Sequence, residues 1–245
     1  MINLYKANMS RLFHNILYIA GCVIAIAATA AFTAGMVHNP YIDRMGEESR
    51  MIFISAAMIA FFTIFIPIFT NPEYTDGSIR NKIVSGYSQK QVYMSYLLCH
   101  FTAAAVMWLF YMIGGIIGGA RPDGRILVTN IIILFAVLSY ISFLMIIALR
   151  LKKMVIVAIL SILTLNMSYS SVMFGNAILT IMEDESRKIG AVIYNISSLG
   201  QWFANTGFAD DFANPGLHIQ LMISVALILF TTAIGTLAIN KRDLA

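Results

Sequence analysis

Residues able to do chemistry are sparse in this 245-residue chain, and their spacing argues against most reactions. His100 and His218 are the histidines that fall clearly within apolar runs, each near an end. A proton relay or metal site needs partners at the same depth, so a packed or interfacial role is the simpler reading for both. Cys22 and Cys99 each sit in an apolar run without zinc-like spacing or a nearby disulfide partner, and read as small packing residues. Glu183-Asp184-Glu185 with Arg187 superficially resembles the acidic motif of a membrane protease, but no histidines face it, and a solvated acidic edge accounts for it. Neither H-E-x-x-H nor G-x-S-x-G occurs, and no G-x-x-x-x-G-K-[ST] loop is present to cradle ATP phosphates. The chain is therefore expected to hold no catalytic residue, metal or cofactor of its own. Asn195-Ile196-Ser197 matches a glycosylation acceptor, a pattern too common to carry weight.

The elements that must position these residues are set by composition. The chain is 59% hydrophobic and 11% charged, with mean hydropathy +0.80, whereas soluble domains carry roughly 25% charged residues. So little polar surface cannot cover a water-facing domain; lipid is the solvent that tolerates it. The net charge of +4 does not point to nucleic acid, because the basic residues are scattered between apolar runs.

Crossing ~30 Å of hydrocarbon takes roughly 20 apolar residues, and six stretches qualify: 16–37, 51–70, 93–118, 126–149, 154–182 and 217–239, none with Asp, Glu, Lys or Arg. The expected fold is an all-α integral membrane protein, residues 1–245 forming one transmembrane domain. The fifth stretch is long enough to break or bend near Asn166 or Gly175. Ala28-Thr29-Ala30 resembles a signal cleavage site, but the run before it is too long for a typical signal peptide. Placing the N-terminus inside puts ten of the sixteen basic residues on cytoplasmic segments: Lys6, Arg11, Arg80, Lys82, Lys90, Arg150, Lys152, Lys153, Lys241 and Arg242. Both termini are then expected to be cytoplasmic.

Ahead of the first span, Ile2, Tyr5, Met9, Leu12 and Ile16 recur at helical spacing, with Asn3, Lys6, Ser10 and His14 following the same period on another face, the pattern of an amphipathic helix in the inner interface. Segment 183–216 is too long for a plain connection. Ile189, Val192, Ile193, Ile196 and Leu199 keep a helical period there, and Trp202, Phe203, Phe208 and Phe212 suit a membrane-water boundary. One or two short outer helices are expected between the fifth and sixth spans.

The stretch from Asn71 to Tyr93, NPEYTDGSIRNKIVSGYSQKQVY, is the richest in local signals. Pro72 turns the chain out of the second span, and Thr75 or Asp76 can cap a new helix. That helix runs from Gly77 to about Ser85, with Gly86 as a left-handed stop. Ser88 and Gln91 form a capping box for the third span. Ile79 and Ile83 share one side of the short helix with Arg80 and Lys82 beside them, a small apolar anchor with a basic rim suited to a partner's groove.

The pattern E-Y-x-x-G-S-I-R-x-K-I-x-x-G-x-S, from Glu73 to Ser88, resembles the loop between spans two and three of type-2 ABC transporter permeases. The layout is similar to that family over the whole chain: six spans, an N-terminal amphipathic helix, outer helices before the last span and a basic tail like Asn240-Lys241-Arg242-Asp243-Leu244. The resemblance implies that the loop is a cytoplasmic coupling helix against an ATPase subunit, with Glu73, Tyr74, Gly77, Ser78, Ile79, Arg80, Lys82, Ile83 and Gly86 as its docking elements. It further implies two cytoplasmic ATPase partners that bind ATP and magnesium, a second permease copy or paralogue, and a multi-pass location in a bacterial cytoplasmic membrane. An amphipathic or hydrophobic substrate would be exported, with peptides of the phenol-soluble modulin or lantibiotic type favoured. A secondary transporter or channel component is the alternative, and a membrane scaffold or enzyme the third. The lack of charged groups in the spans and of a phosphate-cradling loop both favour an energy source on another chain.

Gly114, Gly115, Gly118 and Gly119 form overlapping G-x-x-x-G pairs, which allow close helix approach either within the chain or between protomers. Asn130, Asn166, Ser170 and Asn176, with Ser168 and Ser171, are polar groups inside spans, fit to line a substrate path or to hydrogen-bond between helices.

Overall fold

The computed structural model describes residues 1–40, 42–121, 123–209 and 211–240. The tail residues 241–245, including Lys241 and Arg242, lie outside the described residues. All regular structure among the described residues is helical, and six helical segments are long and apolar enough to cross a membrane. The protein is a multi-pass membrane protein by this measure.

Helix α1 spans Ile2–Phe13 and α2 spans Ile16–Thr33. The second crossing is composite: α3 (Glu47–Ile54), α4 (Ala56–Thr70) and the single turn α5 (Pro72–Thr75) follow one another, broken at Ser55 and Asn71. It therefore extends a turn beyond each expected end, with Pro72 opening the last turn, where a missing N–H costs nothing. A short α6 (Ser78–Val84) leads into α7 (Gln89–Ile117), and α8 (Gly124–Arg150) and α9 (Met154–Ile181) follow. Helix α9 runs unbroken through Asn166 and Gly175, where the sequence allowed a break or a bend. Beyond it come α10 (Asp184–Tyr194), α11 (Ser198–Asn205), a 3₁₀ turn (Asp211–Ala213) and α12 (Leu217–Asn240).

Successive crossings run in opposite directions. One end of the bundle, here called proximal, gathers α1, the 71–88 linker and the α8–α9 turn; the distal end gathers α3, α10 and α11. Helix α7 is the central post. It buries Tyr93, Tyr96, Ala103, Ala104, Met107 and Tyr111 among its neighbours. Its glycines explain how close those neighbours come: a Cβ on Gly114 or Gly118 would lie 2.6 Å from the Ile26 or Ala30 carbonyl oxygen of α2. Gly115 sits on Met51, and Gly119, at φ +104°, ends the helix near Glu47. The close approach is thus internal to the chain.

Polar pairs stitch the other helices. The Thr63 and Tyr140 hydroxyls meet at 2.9 Å between α4 and α8, and Ser142 meets Thr231 at 2.6 Å between α8 and α12. Asn130 is buried on α8, its Oδ1 2.7 Å from the Tyr111 hydroxyl, which also reaches the Met51 carbonyl oxygen at 2.8 Å. Of the polar groups expected to line a path, Asn130 is therefore enclosed in helix packing. Asn166 and Ser170 lie exposed on α9, and Asn176 is half-buried. His100 is enclosed between Phe65 and Phe69, its Nε2 3.1 Å from Thr70 Oγ1. A packed role is what that position describes.

Helix α1 lies against α7 on a face rotated from the expected stripe. Leu4, Asn8 and Leu12 are buried, while Ile2 and Ile16 are exposed. Polar anchors cause the rotation: Asn8 Nδ2 donates to Ser95 Oγ at 3.2 Å, and the Tyr5 hydroxyl meets Thr102 Oγ1 at 2.9 Å. An amide that finds a buried partner outweighs one more isoleucine contact.

Candidate functional site

The 71–88 linker is built from two local stops and one buried carboxylate. Asp76 Oδ1 accepts from the Ser78 N–H at 2.9 Å, and this hydrogen bond draws the exposed Asp76 carboxyl below its usual range. Gly77, at φ +74°, makes the reversal between α5 and α6. At the far end of α6 the Tyr87 N–H reaches the Lys82 carbonyl and the Gly86 N–H the Ile83 carbonyl, with Gly86 at φ +90°. That is a Schellman stop. Ser88 and Gln91 then cap α7 reciprocally, at 3.2 and 3.0 Å.

Glu73 joins four elements. It is 6% exposed and accepts from Arg11 of α1, from Lys82 Nζ of α6 at 2.5 Å, and from the Tyr96 hydroxyl of α7. Lys82, with its side chain 18% exposed, also donates to Tyr96 Oη at 2.9 Å and to Asn8 Oδ1 at 3.4 Å. Arg11 donates to the Phe69 carbonyl at 2.6 Å and lies 3.9 Å over the Phe69 ring. Burial, then the Arg11 charge, push the Lys82 ammonium down to about 8, and the Asp76 carboxylate pulls the other way. Burial likewise lowers the Arg11 guanidinium from its ordinary value. With two cations on one carboxylate, Glu73 is an anchor whose charge is already met rather than a free proton carrier.

The linker is fixed on its other flank as well. Asn71 Nδ2 donates to the carbonyls of Ala148 (3.2 Å) and Leu151 (2.8 Å), and the Tyr74 hydroxyl donates to Leu149. It is thus tied to α1, α7 and the α8–α9 turn together.

This geometry divides the nine residues expected to dock a partner. Glu73, Ile79 and Lys82 point into the bundle, and Tyr74 is committed to α8, so these four side chains are engaged within the chain. Ile79 in particular, read as the apolar anchor for a partner's groove, is 2% exposed within this chain's own core. Ser78 and Ile83 are half-buried, and Gly77 and Gly86 shape the backbone. Arg80 remains outward, beside Asn81 and Val84, the latter 79% exposed. Sequence reasoning missed Arg11, Asn8 and Tyr96 as partners of the linker, and Asn71 as its own tie to the α8–α9 turn. A signal existed for two of them: Asn8 and Arg11 fall three apart, on one face of the helix that precedes the first span.

The distal end holds a second polar cluster without charge. Asn195 and Gln201, with Gln220 and Ser224 of α12, are all fully buried. Gln220 Nε2 donates to Asn195 Oδ1 at 2.8 Å, Ser224 Oγ to Gln201 Oε1 at 2.9 Å, and Asn205 Nδ2 to Gln220 Oε1 at 3.1 Å. Asn195 Nδ2 closes on the carbonyls of Ala191 and Ala213. The amide of the apparent glycosylation triplet is therefore a structural keystone. Trp202, expected at a membrane boundary, is instead buried, its Nε1 donating to the Ile52 and Phe53 carbonyls of α3. The apolar face of α10 does look outward, through Ile189 and Ile193. No protein-family model matches the chain, and no curated protein matches it either.

Proposed function

We propose that the chain is the membrane-spanning permease subunit of an ATP-driven exporter, paired with a second permease copy or paralogue and served by two cytoplasmic ATPase subunits. The observation that carries the reading is the 71–88 linker. Its outward face presents Arg80, Asn81 and Val84, while its inward face is bolted to three parts of the bundle. A push on such a segment moves spans rather than a loose loop, which is what transmission by hinge or shear requires. In this reading the proximal end and both termini are cytoplasmic, the membrane is a bacterial cytoplasmic membrane, and ATP with magnesium is bound by the partners alone. The mostly apolar faces of α9 and α12 fit an amphipathic or hydrophobic cargo, with peptide the favoured class.

The test is co-purification from the native host. Arg80→Glu with Val84→Asp is expected to abolish recovery of an ATPase while leaving the subunit inserted and thermally unchanged. An ATPase retained at wild-type yield takes this face out of the docking surface. Flux that follows a proton gradient in vesicles without ATP sinks the reading as a whole.

A further inference from the structure

Helix α9 turns polar side chains toward the surrounding lipid in mid-span. Among the described residues, the exposed positions of the other crossings are apolar except near their ends. Helix α9 buries Val157, Ser161, Val172 and Leu179 along one side. At about 100° per residue, Asn166 and Ser170 face away from that side, and both are exposed near the middle of Met154–Ile181. Asn166 Nδ2 donates back to the Ile162 carbonyl at 3.0 Å, which uses one of its N–H groups and leaves Oδ1 to accept. Bilayer hydrocarbon offers no hydrogen-bond partner at that depth, so an outward amide there is costly unless another protein surface meets it. The spacing of the residues around it describes that surface. Ile159, Leu163, Asn166, Ser170, Met173 and Ala177 follow one another at four, three, four, three and four, and all are exposed. That is a 3.5-residue repeat, the seam along which two parallel helices wrap in a left-handed pair. Asn166 takes the kind of position at which one asparagine fixes register in such pairs. Ser170 and Ala177 are small, so the two backbones can come close.

We infer that the outward face of α9 pairs two copies of this chain, α9 against α9, with Asn166 hydrogen-bonded to Asn166 across the two-fold axis. Two copies inserted the same way are related by an axis along the membrane normal, so identical residues meet at equal depth. An amide is its own complement there: Oδ1 of each copy accepts the spare N–H of the other. A lipid supplies neither group at that depth, and the seam carries no charge to oppose self-association. This contact gives a face to the second permease copy of the proposed function, and it rests on that pairing, not on the ATPase subunits.

Two differently tagged full-length copies, co-expressed and reconstituted in phosphatidylcholine vesicles, test the contact. Each tag should recover the other. The native Cys22 and Cys99 thiols are buried and should give no cross-link under mild oxidation. Leu163→Cys and Ser170→Cys should cross-link between copies, whereas Ile24→Cys on α2 and Leu229→Cys on α12, at positions more exposed than Leu163, should not. Asn166→Leu should weaken association about five-fold, as loss of an interhelical hydrogen bond does, read by energy transfer between labelled copies on dilution with lipid. Asn166→Gln keeps the amide and should lose about two-fold at most. Ser170→Trp holds the helices apart and should weaken association about ten-fold without lowering the unfolding temperature. Should Ser170→Trp lower that temperature, the comparison of Asn166→Leu with Asn166→Gln decides. Copies that recover each other but cross-link through α2 or α12 overturn the α9 contact and leave the pairing standing. Tags that fail to recover each other overturn both. Asn166→Leu associating as the unchanged chain does also overturns the contact. So does Ser170→Cys that reacts with a water-soluble maleimide instead of cross-linking, the mark of a wet cargo path, or Leu163→Cys captured in the native host by a paralogue alone.

Discussion

The two ends of the bundle fasten their connecting segments with different chemistry. At the proximal end one carboxylate, Glu73, takes two cations and a phenol, so that α1, the linker and α7 meet on a single atom pair. At the distal end Asn195, Gln201 and Gln220 share neutral hydrogen bonds around α10, α11 and α12, and each amide has more than one partner. The first arrangement has one indispensable member; the second spreads its load. A buried ion cluster costs most when one partner is taken away, because the others keep their charge in a poorly solvating place. Neutral networks degrade by one hydrogen bond at a time. The end that holds the proposed force-receiving segment is thus stiff but vulnerable, and the other is tolerant.

That contrast is breakable by substitution. Glu73→Ala should have the largest effect, a loss of about 3 kcal/mol, since Arg11 and Lys82 are left together without their counter-charge. Arg11 is about a third exposed, which keeps the figure at the low end. Thermal unfolding in detergent would measure it, and proteolysis should show α1 released first. Gln201→Leu at the distal end should cost less, roughly 1–2 kcal/mol, by leaving Ser224 Oγ and the Asn195 carbonyl short of a partner. If the two losses come out equal, the distinction between the ends fails.

Alkaline pH sharpens it. Lys82 stands at about 8 in the intact protein, and Glu73→Ala takes away its bonded counter-charge, so burial and Arg11 hold it lower still. As the pH rises toward about 8 the folded variant gives up the Lys82 proton while the unfolded chain, at 10.5, keeps it, so its stability rises before that of the intact chain does; above about 8 the two rise together. The variant should recover part of its loss across that window, while Gln201→Leu, which touches no titratable group, should recover none. The smallest effect is expected from Tyr96→Phe, which removes one of three donors to Glu73 and should cost about 1 kcal/mol.

Much of the architecture was legible because its causes are local or cumulative. Twenty apolar residues in a row announce a crossing wherever they lie, and the stops at Gly86 and Ser88 depend on residues within a few positions. What escaped reading was pairing at a distance. Nothing near Glu73 announces Arg11, 62 residues earlier, or Tyr96, 23 residues later. Periodicity assigned α1 the stripe through Ile2 and Ile16, but Asn8 and Tyr5 found partners on α7 and turned the helix. The distal keystone was hidden in plain view, since an asparagine before an apolar residue and a serine looks like a modification signal until its amide is seen buried. For the linker, residue types were informative and facing was not: Arg80 and Lys82 differ by two positions, and that places one outside and the other in.

Helix α9 has a consequence of another kind. Its 28 residues reach ~42 Å at ~1.5 Å each, well beyond the ~30 Å of a bilayer's oily layer. Only Val157, Ser161, Val172 and Leu179 are buried along it. A rod longer than its medium is deep, and so lightly gripped, answers a change in bilayer thickness by leaning. Thin membranes should tilt it and thick ones straighten it, which gives lipid composition a mechanical handle on this one helix.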